Sequence, residues 1–209
     1  MTEYMKYPRT PHLPFSPGAE KDDVLLLDTK HFEGHEVVVT EKMDGENHTL
    51  YHNCLHARSL DSGYHWSRER LKAFHSEIAH LIPEGFRICG ENMVAKHSIK
   101  YDDLPHFFLG FSVWEGTRCL DWHNTLLWFE LIGIQPVPMI WRGIWDESTV
   151  KSLINGLDLA RQEGVVIRRA DAFELKDFKN NIAKWVRKNH VQTSDHWMHA
   201  APEENQWRR

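Results

Sequence analysis

The spacing of hydrophobic positions changes along the chain, and the changes mark its elements. Glu36–Thr40 carries three consecutive valines and predicts a strand. Glu41-Lys42-Met43-Asp44-Gly45 follows, and its Asp-Gly pair predicts a turn. Asn47–His52 alternates and predicts the returning strand, with Cys54–Arg58 as a short third one. From Trp66 to Leu81 the period lengthens: Leu71, Phe74, Ile78 and Leu81 recur at three- and four-residue spacing, which predicts an amphipathic helix ended by Pro83 and Gly85. Phe86–Gly90 is another short strand, and the aromatic-rich run Phe107–Trp114 reads as a central one. Asp121 is placed to cap a helix that runs to Ile132 and stops at Gly133. Val137–Trp141 predicts a strand, Asp146 or Ser148 caps a helix reaching Ala160, and Glu163–Arg169 and Ile182–Arg187 close the series as strands.

This mixture predicts an α+β fold of antiparallel sheets with flanking helices. The prolines of residues 1–20 forbid a helix there, and this N-terminal arm reads as a strap over the domain rather than as a wall of a ligand pocket. The tail, 190–209, is polar and yields no firm element; its His190 and His196 read as part of a segment packed by Trp197. The expected organisation is a single domain spanning 1–209, with no separate C-terminal domain.

Composition narrows the class. A hydrophobic content of 41% with 26% charged residues is that of a globular chain. Cys54, Cys89 and Cys119 form no close pair, which fits a reducing, cytoplasmic setting. No apolar run approaches the ~20 residues of a membrane helix. The fifteen histidines are scattered without zinc-ligand spacing, and neither a P-loop nor a GxGxxG is present. A net charge of −5 argues against a general nucleic-acid coat, so any grip on a polyanion is expected from a local basic face near Arg58, Lys96, Lys100, Arg187 and Lys188.

Four charged groups fall at strand positions or strand ends: Lys42, Glu91, Glu163 and Lys184. Burying such groups without partners is costly. Each alone reads equally well as a solvent-facing residue on an alternating strand, and an isolated Lys-x-Asp-Gly reads as an exposed hairpin. Four of them on separate strands point instead to one convergent site. A lysine there would be a nucleophile only when unprotonated, and burial or neighbouring cations favour that state.

The ordered series Lys42-Met43-Asp44-Gly45, Ala57-Arg58-Ser59, Gly90-Glu91-Asn92, Phe107-Phe108-Leu109-Gly110-Phe111, Glu163-Gly164-Val165-Val166 and Lys184-Trp185-Val186-Arg187 resembles the motifs of the covalent nucleotidyltransferases. Within that superfamily it is most similar to the ATP-dependent RNA ligases of the phage double-strand-repair type, over residues 7–197. The resemblance implies a nucleotidyltransferase (ATP-grasp-like ligase) core, with ATP and Mg2+ as cofactors and nucleic-acid ends, RNA by preference, as partners. It implies that Lys42 becomes adenylylated and that Lys184 neutralises the α-phosphate as charge builds there. Arg58 would contact sugar or phosphate, Glu91 the ribose hydroxyls, and Phe111 the adenine face, with Phe108 left to the core. Glu163 would hold the metal, and Asp44 and Asn47 would shape the pocket. The family often places a second lysine where this chain has Val186, so Arg187 or Lys188 is expected to substitute. The same residues leave open a DNA ligase, a guanylyltransferase, a binding module without catalysis, or a core needing a partner protein to engage nucleic acid.

Overall fold

A computed structural model of the chain describes residues 4–188 and 203–208. The strands are β1 (Glu36–Glu41), β2 (Glu46–Leu50), β3 (Leu55–Ala57), β4 (Phe86–Asn92), β5 (Phe108–Glu115), β6 (Arg118–Cys119), β7 (Gln135–Pro136), β8 (Met139–Ile144), β9 (Gly164–Arg169), β10 (Phe173–Glu174) and β11 (Ile182–Val186). The helices are α1 (Arg68–Ile78), α2 (Trp122–Ile132) and α3 (Glu147–Asn155). One sheet has the order β11-β9-β1-β8 and the other β10-β6-β5-β4-β2-β3, with β7 joined to β5. All strand pairs are antiparallel except β5–β7, which is parallel.

The two sheets pack face to face, with helices outside. Val37 and Val39 point outward from the first sheet and pack with Val165, Ile167 and Trp185 against Val150 and Ile154 of α3. Val38, of opposite parity, faces inward and meets Leu109 of the second sheet, Trp122 and Val137. All three valines are buried because both faces of β1 are covered, which explains why that strand reads as a continuous apolar run. On the far side of the second sheet, Leu71 and Ile78 of α1 and Phe129 and Ile132 of α2 close over Leu50, Ile88, Phe108 and Val113.

Local chemistry sets the helix ends. The Asp121 carboxylate accepts from the Asn124 N–H at 2.8 Å and begins α2, and Gly133, at φ 78°, ends it. Asp146 accepts from the Thr149 N–H at 2.7 Å and begins α3. That helix stops at Asn155, before Gly156, rather than reaching Ala160. The first helix also differs from its pattern. Regular α geometry ends at Ile78, and a 3-10 turn over Ala79–Leu81 rotates Leu81 away from the core, leaving it 42% exposed. His75 takes the buried position on that stripe, its Nε2 2.6 Å from the Tyr51 carbonyl oxygen. The strand expected over Val137–Trp141 begins only at Met139, after Pro136 and Pro138.

Both terminal segments are tied to the sheets. The arm runs beside β11: Leu13 N–H donates to Lys184 O, and Lys184 N–H to Pro11 O, each at 2.8 Å. Residues 203–208 lie against the connection between β4 and β5, bridging Ala95 to Glu204 and Leu104 to Trp207. The expectation for His190, His196 and Trp197 concerns residues outside the described ones.

Candidate active site

Lys42 follows the last residue of β1. Its N–H donates to Gly164 O at 2.9 Å, extending the β1–β9 pairing by one position. The next turn must pass close to β4, because a Cβ on Gly45 would lie 2.6 Å from Met93 Sδ and 2.7 Å from Asn92 O. Glycine is therefore required there for close approach rather than for a left-handed backbone. Asp44 is held beside it: its Oδ2 accepts from the N–H groups of Ser98 and Ile99, both at 2.8 Å.

The Lys42 Nζ lies 2.6 Å from Glu163 Oε2. Glu163 precedes β9 and is 4% exposed, so this ion pair is shielded on the acid side. Lys42 opens onto a cavity of about 360 Å3 between the sheets. Asn47, Arg58, Glu91, Phe111 and Lys184 also line it. Registers explain the convergence: Asn47 pairs with Glu91 across β2–β4, and Lys184 pairs with Val166 across β11–β9. On β11 the inward parity is 182, 184; Arg187 falls on the other parity and is not part of the cavity wall. The Arg187 N–H donates to Glu163 O at 3.0 Å, which ties β11 to the acid beside Lys42. Asp44 likewise lies behind the wall, and Glu163 sits beneath Lys42. Phe108 is fully buried in the core.

The Pro-rich arm is a strap and also a wall, which corrects the choice between them: Tyr7, Pro8 and Thr10 line the cavity. Tyr7 meets Phe111 edge to face, with ring centroids 5.1 Å apart. Farther along, Asp23 approaches Lys184 Nζ at 3.9 Å and His12 Nε2 at 3.1 Å. Sequence reasoning missed Glu41, His97, Trp122 and Arg168, which line the cavity as well. Glu41 accepts from Gln162 Nε2 at 2.9 Å. Among the described residues, the Trp122 indole N–H and Asn47 Oδ1 are buried without a hydrogen-bond partner. Nothing in the local pattern marks Trp122, because an aromatic at the start of an amphipathic helix reads as core.

Proton positions are strongly perturbed. Burial pushes the Glu91 carboxyl up to about 8, aided by the charges of Glu163, Asp44 and Glu46 and opposed by Lys42. Burial also acts to lower Lys42, but Glu163, Glu91 and Asp44 outweigh it and hold the amine above the ordinary lysine value. This reverses the expectation of a depressed amine: three acidic side chains surround it, Glu163 in direct contact. Lys184 is the depressed lysine, through burial first and then the Lys42 charge, with Asp23 and Glu163 opposing. Burial lowers His97 to about 4, so it is neutral near pH 7.

Among the described residues no group of three or more His, Cys, Asp or Glu side chains is gathered as a metal site. The acids beside Lys42, Glu163 first, fit an ion that keeps waters and phosphate oxygens in its shell, as Mg2+ does. The expected basic face is only partly available. Lys96 pairs with Glu203 at 2.7 Å and Lys100 with the same carboxylate at 3.4 Å, while Arg58 and Lys188 are exposed.

The RNA ligase family model matches residues 35–186. An archaeal ATP-dependent RNA ligase superposes with a TM-score of 0.59 at 18% identity, over 90% of this chain and 49% of that one. A Naegleria gruberi RNA ligase with pyrophosphate gives 0.57 at 16% identity, over 78% and 53%. A variant of the Naegleria gruberi enzyme with ATP and Mn gives 0.55 at 14%, over 78% and 53%. The chain spans about half the length of these solved structures. No curated protein matches it by sequence.

Proposed function

Because the chain belongs to the RNA ligase family, we propose that it joins RNA ends in an ATP-dependent reaction through a lysyl-AMP formed on Lys42. The observation that carries this reading is the Lys42–Glu163 pair at 2.6 Å, at the edge of a cavity that β11 of the same sheet lines with Lys184. A lone exposed lysine would have neither the paired acid nor the second cation.

In the first step Lys42 Nζ forms a bond to the α-phosphorus of ATP while the bond from that phosphorus to the bridging oxygen breaks, and pyrophosphate leaves. The amine must shed a proton first. Glu163 is the acceptor already in contact, and Lys184 faces the phosphate oxygens whose charge rises during the displacement. A divalent cation bound at Glu163 would neutralise phosphate oxygens and weaken the field that keeps Lys42 protonated. Phe111 and Tyr7 offer an aromatic wall for the base, and the Trp122 N–H offers a donor without a protein acceptor. Glu91, carrying a proton near neutral pH, holds the ribose hydroxyls. In the second step a 5′-phosphate oxygen attacks the same phosphorus, the phosphorus–nitrogen bond breaks, and Lys42 regains its proton. In the third, a 3′-hydroxyl attacks the 5′-phosphorus and AMP leaves. Covalent capture divides one displacement into easier ones.

The test is incubation with α-labelled ATP and Mg2+, followed by denaturing electrophoresis. The wild-type protein is expected to retain label and Lys42→Ala to retain none. Label on the variant would overturn the assignment, and its absence from the wild type with ATP would favour a binding module. Nicked duplexes with RNA or DNA 3′-ends then test the RNA preference.

A further inference from the structure

The segment 203–208 reaches the candidate active site through a chain of hydrogen bonds that none of the steps above uses. Asn205 is 2% exposed although it is a polar residue near the end of the chain. Its side-chain nitrogen donates to Met93 O at 2.8 Å and Ala95 O at 3.2 Å, and its Oδ1 accepts from Tyr101 N–H at 2.9 Å. Its own N–H donates to Val94 O at 3.0 Å, and Gln206 N–H donates to Tyr101 O at 2.8 Å. One asparagine thus satisfies four backbone groups of the connection that follows β4. Buried backbone groups left unpaired are costly, so this connection has its present path only with Asn205 in place.

The same connection grips the turn after Lys42 at three points. The Asp44 N–H donates to the Tyr101 hydroxyl at 3.2 Å. Asp44 Oδ2 receives the Ser98 and Ile99 N–H groups, and Met93 Sδ fills the space beside Gly45. Trp207 anchors the 203–208 segment, packing on Phe107 with ring centroids 5.5 Å apart and under the Arg70 guanidinium at 5.0 Å.

We infer that Asn205 is a positioning residue for adenylylation: by fixing Met93–Tyr101 it sets Asp44 and Gly45, and through them the approach of the Lys42 amine to the α-phosphorus. This rests on the assignment of Lys42 as nucleophile. Asn205 touches no reacting atom. A small displacement of a nucleophile costs rate more than it costs ground-state binding. The β1–β9 and β9–β11 pairings that carry the other cavity walls are made without the 203–208 segment.

The experiment measures single-turnover adduct formation over a range of ATP concentrations, well below the unfolding temperature, for wild type, Asn205→Ala and Tyr101→Phe. Asn205→Ala is expected to lower the maximal rate about tenfold or more with the ATP dependence changed less than about threefold. Hydrogen exchange at Ser98 and Ile99 should accelerate while the β4–β5 amides keep their protection. A folded Asn205→Ala protein with the wild-type rate, or a loss matching only its unfolded fraction, overturns the inference. If Asn205→Ala does not fold, Tyr101→Phe decides: it removes only the oxygen that receives Asp44 N–H, so a slower maximal rate supports the inference and an unchanged one overturns it. Wild-type protein without adduct defeats the Lys42 assignment and this inference together. Wild-type adduct with an unchanged variant rate defeats this inference alone.

Discussion

At the residue scale, the informative feature is that one buried acid at the site, Glu91, departs from its ordinary protonation. Glu91 titrates near 8 instead of 4.5 because burial and neighbouring carboxylates disfavour its charge. Its folded value lies above its unfolded one, so its contribution to stability is complete below about pH 4.5 and is lost as pH rises toward 8. Glu91→Gln has no such titration. Its melting temperature relative to wild type is expected to rise progressively across that window and to level off above it, measured by thermal unfolding at a series of pH values. A difference independent of pH would contradict the burial account. Of the residues read as functional from sequence, Lys42, Asn47, Arg58, Glu91, Phe111 and Lys184 meet at one cavity, while Arg187 does not. Lys42, Glu91 and Lys184 were legible because a charged residue at a strand position or end carries a cost that a cavity resolves, whereas Asn47, Arg58 and Phe111 were legible only through the family resemblance. Trp122 and Tyr7 were not, since an aromatic side chain has an ordinary packing use at either place.

At the element scale, strand-to-strand distance governs the site. Lys42 and Glu163 meet because β1 and β9 are neighbours, and Lys184 joins them because β11 lies on the other side of β9. Gly164 permits that spacing: a Cβ there would lie 2.0 Å from the Trp185 carbonyl oxygen, which is backbone and cannot swing aside. Gly164→Ala should therefore push β9 from β11, cost about 3 kcal/mol or more, and slow adduct formation even in the folded fraction. Thermal unfolding and the labelled-ATP assay read the two effects, and a near-wild-type melting temperature would show that the strands relax more freely than this packing allows. Most strands and all three helices follow from periodicity and caps. The errors lie at ends: Leu81 leaves the core because the last turn tightens, and α3 stops early at Gly156. The two-residue strands β6, β7 and β10 are too short to carry a period of their own.

At the scale of the whole molecule, the proposed function requires a chain with net charge −5 to hold a polyanion. The 203–208 segment narrows the choice, since Glu203 engages Lys96 and Lys100 and leaves Arg58 and Lys188 as the exposed cations among the five expected. Lys188→Ala is expected to reduce the slope of log affinity for RNA against log salt by about one, with Lys96→Ala changing it less. Equal slopes for the two variants would place the RNA path over the 203–208 segment instead. The sequence by itself determined the elements, the ordered set of polar groups and the family, because period, capping chemistry and residue type are local properties. Only the tertiary structure decided which side of β11 faces the cavity, that the acids around Lys42 hold its amine charged, and that Asn205 binds the connection that grips the Lys42 turn. Those outcomes depend on distances between residues far apart along the chain, where strand register and the field of neighbouring charges, rather than local preference, set the energy.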